Sequence, residues 1–304
     1  MKLRVLGSAA GGGFPQWNCN CPNCAGLRGG SLRGRSRTQS SIAVSGQDPH
    51  AWALVNASPD ILRQLAAHPD LQPSRTRRDS ALCAVVLCDG QVDHTTGLLL
   101  LRESTRPWPL YCTSNVLEDL SRGNPVVEVL KHFCGTVHHR IDPDVAFTVE
   151  ALPQIIWRAV AVDGKPAPYS PNRLSPLKGD NVAFVLRENE GGSAFYAPGL
   201  AAIDEAVWQH MQAAEVVLVD GTFWTDDEMI GLGVSRKRAQ ELGHLPQSGP
   251  GGMLEWLARL PARTRKILIH INNTNPILNE SSVEARELRD RGVEVASDGM
   301  EITL

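Results

Sequence analysis

The chain has 304 residues, of which 42% are hydrophobic and 21% are charged, so its composition is that of an ordinary globular protein that can bury a sizeable core. The formal net charge of −3 argues against broad binding of nucleic acid, which normally requires a basic stripe. No run approaches the roughly 18 apolar residues of a membrane span, and no signal-peptide stretch follows the first basic residues, so we expect a soluble, cytoplasmic protein.

Short apolar runs rich in β-branched residues predict buried strands. In chain order they are residues 2–6, 41–44, 52–55, 84–87, 182–186, 216–219 and 267–269. Helical periodicity, mostly between these runs, predicts helices at residues 59–67, 116–121, 202–212, 252–260 and 283–291. Residues 163–179 are rich in proline and glycine and predict a long loop of the kind that often lines a site. The alternation predicts a mixed α/β fold in one domain, residues 1–304.

Three of the seven cysteines, Cys19, Cys21 and Cys24, form a C-x-C-x-x-C pattern. This spacing lets three thiolates converge on one ion, and thiolates suit zinc in a tetrahedral structural site. A tight loop of free thiols is the alternative. We favour a structural zinc whose fourth ligand comes from elsewhere in the chain. The other cysteines, which stand singly and are predicted to be small buried hydrophobes, are Cys83, Cys88, Cys112 and Cys134.

A second candidate metal site combines an adjacent pair, Asp93 and His94, with His270. The pair lies between a predicted strand and the helix-like stretch 97–101, where it can present an oxygen and a nitrogen to one ion, although Asp93 could equally cap the helix. His270 follows another predicted strand, as a metal ligand or as a hydrogen-bonded structural residue. Together they would form the two-histidine, one-carboxylate set that leaves positions open on Fe(II) for oxygen and substrate.

Residues 89–97, D-G-Q-V-D-H-T-T-G, resemble the H-x-H-x-D-H-x-x-G signature of the metallo-β-lactamase superfamily, with Asp89 and Gln91 in place of the first two histidines. The chain is more similar to the coenzyme PQQ biosynthesis protein B family, through motifs that span nearly its whole length. These motifs are residues 7–21 (GSAAGGGFPQWNCNC), 56–60 (NASPD), 93–98 (DHTTGL), 196–200 (YAPGL), 220–222 (DGT) and 270–276 (HINNTNP).

The resemblance implies a four-layer αβ/βα sandwich, in which two mixed sheets lie face to face with helices outside and a site runs along one edge. Hydrolytic members of the superfamily join two metals through an aspartate, and this chain has Gly199 at the similar position. Since that bridge and two histidines are lost, the resemblance implies a mononuclear centre on Asp93, His94 and His270 rather than a dinuclear zinc hydrolase.

Related phosphodiesterases complete a similar cysteine zinc site with a histidine three residues after the counterpart of His270. In this chain that position is Asn273, so the fourth zinc ligand is Asn273, another residue or water. The same relatives have a catalytic histidine to which His244 is similar, with a structural loop histidine as the alternative. Asp220, in the DGT motif, would either move protons or orient a ligand histidine.

The resemblance places the chain in the pathway that makes pyrroloquinoline quinone (PQQ). It implies an oxygenase that uses Fe(II) and O2 to hydroxylate the tyrosine ring of a cross-linked glutamate–tyrosine precursor. Arg173 could bind a substrate carboxylate and Tyr169 could pack on the ring, or both could be solvent-facing loop residues. The implied partners are a diamino-acid or quinone ligand, O2 and other proteins of the PQQ pathway.

Two other functions are open at this point. One is a non-catalytic carrier that binds PQQ or its precursor for transport to the periplasm, because altered ligand motifs also fit a binding protein. The other is a zinc hydrolase, against which the missing histidines count.

Overall fold

Two seven-stranded mixed sheets form the centre of this computed structural model, which describes residues 1–189 and 191–304. The first sheet comprises β1 (Lys2–Gly7), β2 (Ser41–Ser45), β3 (Trp52–Val55), β4 (Leu82–Val86), β5 (Trp108–Cys112), β6 (Thr136–Arg140) and, at the chain end, β14 (Glu301–Thr303). The second comprises β7 (Ala146–Thr148), β8 (Ile155–Ala161), β9 (Val182–Glu188), β10 (Gly191–Ala197), β11 (Val216–Asp220), β12 (Arg265–Ile269) and β13 (Val293–Val295).

Each sheet is antiparallel in one half and parallel in the other. The spatial orders are β14-β1-β2-β3-β4-β5-β6 and β13-β12-β11-β10-β9-β8-β7. Pairing is parallel from β3 to β6 and from β10 to β13. Because the carboxyl ends of parallel strands meet at one edge of a sheet, the loops after β4, β11 and β12 are placed to build a site.

Helices cover the outer faces of both sheets. They are α1 (Pro22–Arg28), α2 (Ile61–Ala66), α3 (Val92–Thr95), α4 (Gly97–Leu100), α5 (Ser114–Glu118), α6 (Val126–Leu130), α7 (Glu205–Ala213), α8 (Glu228–Gly231), α9 (Ala239–Leu242), α10 (Met253–Ala258) and α11 (Val283–Asp290). Short turns of other helix types occur at Pro69–Leu71, Asp119–Gly123 and Pro276–Leu278. Among the described residues, no helix has both the length and the apolar character that crossing a bilayer requires.

Three apolar layers hold the sandwich together. The middle layer joins residues of both sheets, such as Val44 on β2 and Phe184 on β9. One outer layer packs the first sheet against helices through residues such as Leu98, and the other packs the second sheet through residues such as Leu257 and Leu288. Three cores between four layers confirm the predicted four-layer α/β architecture.

Every strand predicted from the sequence is present, within two residues at each end. The predicted helices are also present. The helix predicted from residue 202 begins only at Glu205, because Asp204 is its N-cap. The side chain of Asp204 accepts a hydrogen bond from the backbone N–H of Val207. The loop at 163–179 contains neither helix nor strand. The strands without a sequence prediction are β5, β6, β7, β8, β10, β13 and β14; β5 contains a proline, β10 begins with two glycines, and β7, β13 and β14 have three residues each.

Candidate metal centre and its cavity

The side chains predicted to bind an active-site metal come together at one edge of the sandwich. Asp93 and His94 lie in α3, which follows β4 of the first sheet, and His270 directly follows β12 of the second. The alternative that Asp93 caps the helix at 97–101 is wrong, because Thr96 occupies the N-cap position of α4, and Gln91 occupies that of α3. The two sheets therefore contribute ligands to a single place.

The donor atoms of this set converge. Asp93 Oδ2 lies 3.3 Å from His270 Nε2 and 4.0 Å from His94 Nε2. His94 is 3% exposed, and its Nε2 is enclosed without a hydrogen-bond partner among the described residues. A buried imidazole nitrogen normally has a partner, so a metal ion at this point is a good fit to the residues present.

Asp89 orients His94 from the opposite side of the ring. His94 Nδ1 lies 2.9 Å from both carboxylate oxygens of Asp89. Burial lowers the pKa of His94, but the charges of Asp89 and Asp93 outweigh burial and raise it to about 9. Asp89 stands where the superfamily signature has a histidine. Its carboxylate contacts His94 and does not face the metal position, and such carboxylates are common around metal-binding imidazoles.

Thr222 and Asp220 orient the other two histidines. Thr222 Oγ1 lies 2.9 Å from His270 Nδ1 and 3.1 Å from His244 Nδ1. Asp220 Oδ2 lies 2.7 Å from His244 Nδ1. The His244 and His270 rings stack with their centroids 5.4 Å apart. Both Nδ1 atoms are therefore engaged, which leaves the Nε2 atoms for chemistry.

Asp220, His244 and His270 also offer ligand atoms within 4.8 Å of one another. The carboxylate of Asp220, however, is fully buried and already accepts hydrogen bonds from the backbone N–H groups of Leu200 and Thr222 in addition to its contact with His244. It has little capacity left for a metal. Of the two roles considered for Asp220, the geometry favours orienting a histidine.

A cavity of about 260 Å³ opens beside these histidines. Its lining includes His94, His244 and His270. Apolar surface comes from Phe223, Met229 and Leu242, and a polar rim comes from Lys165, Asn181 and Asn272. Gly199 also lines it, and a Cβ atom there would lie 3.9 Å from His244 Cε1. The glycine that replaces the bridging aspartate therefore leaves space next to His244.

Tyr169 and Arg173, predicted to bind substrate, do not line this cavity. The hydroxyl of Tyr169 donates to the carbonyl of Gly90, and the guanidinium of Arg173 donates to the carbonyl of Pro166. Both side chains are thus engaged by main-chain acceptors of the protein itself. Lys165, from the same predicted loop, is the only lysine or arginine lining the cavity within the part of the chain that the structure describes.

The cysteine cluster forms a second, separate donor set. The sulfur atoms of Cys19, Cys21 and Cys24 lie within 4.8 Å of one another, and Cys21 and Cys24 are buried. Asn273 Nδ2 lies 3.0 Å from Cys19 Sγ, 3.3 Å from Cys24 Sγ and 3.6 Å from Cys21 Sγ. The amide thus occupies the place of a fourth ligand, and a half-turn of the amide would present its oxygen there.

The Cys21 thiol keeps its proton unless a bound cation displaces it. Burial, with the neighbouring Cys24, raises the pKa of the Cys21 thiol to about 12. A bound cation is what favours thiolates in such surroundings. Of the single cysteines, Cys88 and Cys112 are buried as predicted, whereas Cys83 and Cys134 are only partly buried.

One segment links the two donor sets. His270 contributes to the first, Asn272 lines the cavity and Asn273 faces the cysteines. Glu228 holds this segment from behind by accepting a hydrogen bond from Thr274 Oγ1. Burial raises the pKa of Glu228 from 4.5 to about 7, although Thr274 and backbone N–H groups oppose that shift.

The sequence did not reveal the roles that three residues, Asp89, Thr222 and Lys165, have in this site. Asp89 and Thr222 lay in motifs that had been recognised, but the contact of Asp89 depends on the direction of its side chain, and the contacts of Thr222 depend on β11 and β12 being neighbours in one sheet. Lys165 lay in the predicted loop, where nothing distinguished it from other loop cations.

Comparisons with known proteins find relatives along the whole chain. A family model described as a beta-lactamase superfamily domain matches residues 51–271. Coenzyme PQQ synthesis protein B of Azoarcus sp. (strain BH72) is 59% identical over 305 residues, covering 100% of both chains. The protein of the same name from Cupriavidus necator is 56% identical, covering 100% of this chain and 99% of its own.

Solved structures show the same similarity. The crystal structure of Zn²⁺-bound PqqB from Methylobacterium extorquens has a TM-score of 0.91 and 37% identity to this chain, with 100% of both chains covered. A diphosphatase of the PhnP family has a TM-score of 0.67 at 18% identity, covering 99% of this chain and 96% of its own, which shows a shared fold alone.

Proposed function

Because the chain belongs to the coenzyme PQQ synthesis protein B family, we propose that it is a metal-dependent enzyme of PQQ synthesis that hydroxylates the tyrosine ring of a cross-linked glutamate–tyrosine precursor with Fe(II) and O2. The observation that carries the proposal is the convergence of Asp93, His94 and His270, with His94 Nε2 buried and without a protein partner. Fe(II) bound by these residues would supply the activation of O2, as two-histidine, one-carboxylate sites do in oxygenases.

Metal binding by this chain is supported by its zinc-bound relative from Methylobacterium extorquens. We assign structural zinc to Cys19, Cys21 and Cys24, with Asn273 as the fourth ligand, because four protein side chains make up that set. We assign iron to the other set, because it borders a cavity that a substrate can enter.

His244 is the residue best placed to move a proton. It lines the cavity, and its Nδ1 is held by Asp220 at 2.7 Å. Burial lowers the pKa of His244, but the charge of Asp220 outweighs burial and raises it. The imidazole is thus a better base than a free histidine, and it can accept a proton from the hydroxyl of a bound tyrosine ring.

Other residues of the cavity lining would orient the substrate. Phe223, Met229 and Leu242 offer an apolar surface for a ring, while Lys165 provides a positive charge for a carboxylate at the rim. Asn181 and Asn272 can hydrogen-bond the amino-acid backbone of the ligand. A diamino-acid precursor with one aromatic ring has the chemistry that this lining complements.

The test is a turnover experiment with protein reconstituted anaerobically with Fe(II). With ascorbate added as the electron donor, we expect consumption of O2 and addition of one of its oxygen atoms to the cross-linked substrate, while the other leaves as water with two electrons from the donor. An oxygen electrode and mass spectrometry measure both. The variant His270→Ala should lose both, whereas His210→Ala, a histidine of α7 that does not line the cavity, should retain both.

Two outcomes would overturn the oxygenase. Tight binding of PQQ without turnover would indicate the carrier function. Turnover with zinc alone and without O2 would indicate a hydrolase.

A further inference from the structure

A second cavity, of about 490 Å³, lies at the open edge of the second sheet between β13 and α11. Its floor is apolar and is made by residues such as Ile277, Leu288, Val293 and Met300. None of the residues that line it lines the cavity beside the histidines. Its volume lies within the range of about 300–1,000 Å³ that is typical of small-molecule sites.

Arginines give the rim of this cavity an excess of positive charge. Arg35, Arg37 and Arg289 line it, and within residues 1–189 and 191–304 none of them forms an ion pair with a carboxylate. The two glutamates of the lining are neutralised from outside it, since Glu294 pairs with Arg265 at 2.6 Å and Glu280 with Arg33 at 3.6 Å.

Arg37 is the most informative of these residues. Its Nη1 donates to Ser8 Oγ at 3.0 Å and to the carbonyl of Ala296. Its Nε is buried without an acceptor, and among the described residues Nη2 also has none. The oxygens of Asp298, whose charge acts on Arg37, accept hydrogen bonds from Ser8 and Thr38 instead. A half-buried guanidinium thus keeps two of its nitrogens unused.

We propose that this cavity binds a small carboxylic acid with an apolar body. Arg37 would receive the carboxylate through Nη2, which has no acceptor among the described residues and is not enclosed, because a hydrogen bond between two charged groups is stronger than one between neutral groups. Arg35 adds charge at the rim, and the apolar body lies on Ile277 and Leu288. A neutral ligand of the same shape would leave the arginine donors unpaired and bind more weakly.

The test uses naphthalene-2-carboxylate as the probe and isothermal titration calorimetry of the full chain. We expect one molecule bound per chain, and a Kd at least about tenfold higher for the neutral naphthalene-2-carboxamide, since a hydrogen bond to a charged group contributes about 1.5–3 kcal/mol. Arg37→Met should raise the Kd by about tenfold or more, and Arg35→Met by about two- to fivefold.

Controls separate this site from others. Arg77→Met, at an exposed arginine outside the cavity, should leave the Kd unchanged. Lys165→Met should also leave it unchanged, because Lys165 lines only the cavity beside the histidines. Ala285→Leu fills part of the cavity and keeps every arginine, so it should weaken binding. This variant tests the site even if Arg37→Met fails to fold.

The proposal is overturned if no heat of binding is found at millimolar probe. It is also overturned if the carboxamide binds equally well, or if the loss occurs in Lys165→Met and not in Arg35→Met and Ala285→Leu.

Discussion

The two donor sets of this protein differ in how the chain builds them. Cys19, Cys21 and Cys24 come from one short segment before and within α1, and Asn273 closes the fourth side. Asp93 and His94 come from α3, which follows a strand of the first sheet, whereas His270 follows a strand of the second, and all three border a cavity. A closed tetrahedral set is typical of structural metal sites and an open one of catalytic sites, which supports our proposal of a structural role for the first set and a catalytic role for the second.

The sets are not independent, because the segment 270–275 contributes His270 to one set and Asn273 to the other. His270 has a left-handed backbone, with φ of 62°, which a β-carbon disfavours. Asn275 Nδ2 donates to the carbonyls of Gly221 and Thr222, and this bond helps to hold the segment beside β11. We therefore expect loss of the cysteine-site metal to disturb the histidine centre more than the reverse.

The largest effect is expected from His94→Ala. Loss of this buried ligand should remove the metal of the histidine centre and reduce turnover at least about 10³-fold, which corresponds to about 4 kcal/mol. Zinc at the cysteine cluster should remain. Metal content by mass spectrometry, with anomalous scattering from crystals, checks the result, and His50→Ala on an exposed loop is the control. Loss of both metals would refute the assignment of separate roles.

Cys24→Ser tests the other half of the comparison. Cys24 is fully buried and contacts Asn273. The variant should therefore lose zinc. Its unfolding free energy should fall by about 3 kcal/mol, because loss of a metal is among the most destabilising single changes. Urea unfolding and zinc content measure it. Cys134→Ser, at a partly buried single cysteine, should keep the zinc. If Cys24→Ser retains zinc and stability, the cluster is a set of free thiols.

The smallest expected effect concerns Glu228, which supports the segment between the two sets. Its pKa is raised by burial from 4.5 to about 7, so the folded state holds a proton that the unfolded state releases, and stability falls as pH rises through this window. We therefore expect the difference in unfolding free energy, wild type minus Glu228→Gln, to fall by about 2 kcal/mol between pH 5 and pH 8.

Urea titrations at both pH values measure the effect of Glu228. Glu103→Gln, at an exposed glutamate, is the control and should show no such trend. A difference that stays constant between pH 5 and pH 8 would contradict the prediction.

Local patterns predicted much of the fold. The runs at β1, β2, β3, β9, β11 and β12 are apolar and β-branched, and their residues decide their conformation almost alone. Strands such as β6 and β10 were not recognised, because histidines or glycines weaken the local pattern and pairing with neighbouring strands decides it. Tyr169 shows the same limit at the site, since its side chain could face solvent or substrate by sequence, and packing turned it to Gly90.

The sequence by itself determined the ligand types: three closely spaced thiols, and an aspartate–histidine pair with a distant histidine. It could do so because side-chain chemistry and short spacings are local properties. Only the tertiary structure decided that Asp89 holds His94, that Thr222 lies between His244 and His270, and that Lys165 rather than Arg173 reaches the cavity. Thr222 and His270 are remote in the chain and meet because β11 and β12 are neighbours in one sheet, whereas the directions of the Asp89 and Lys165 side chains are set by the packing around them.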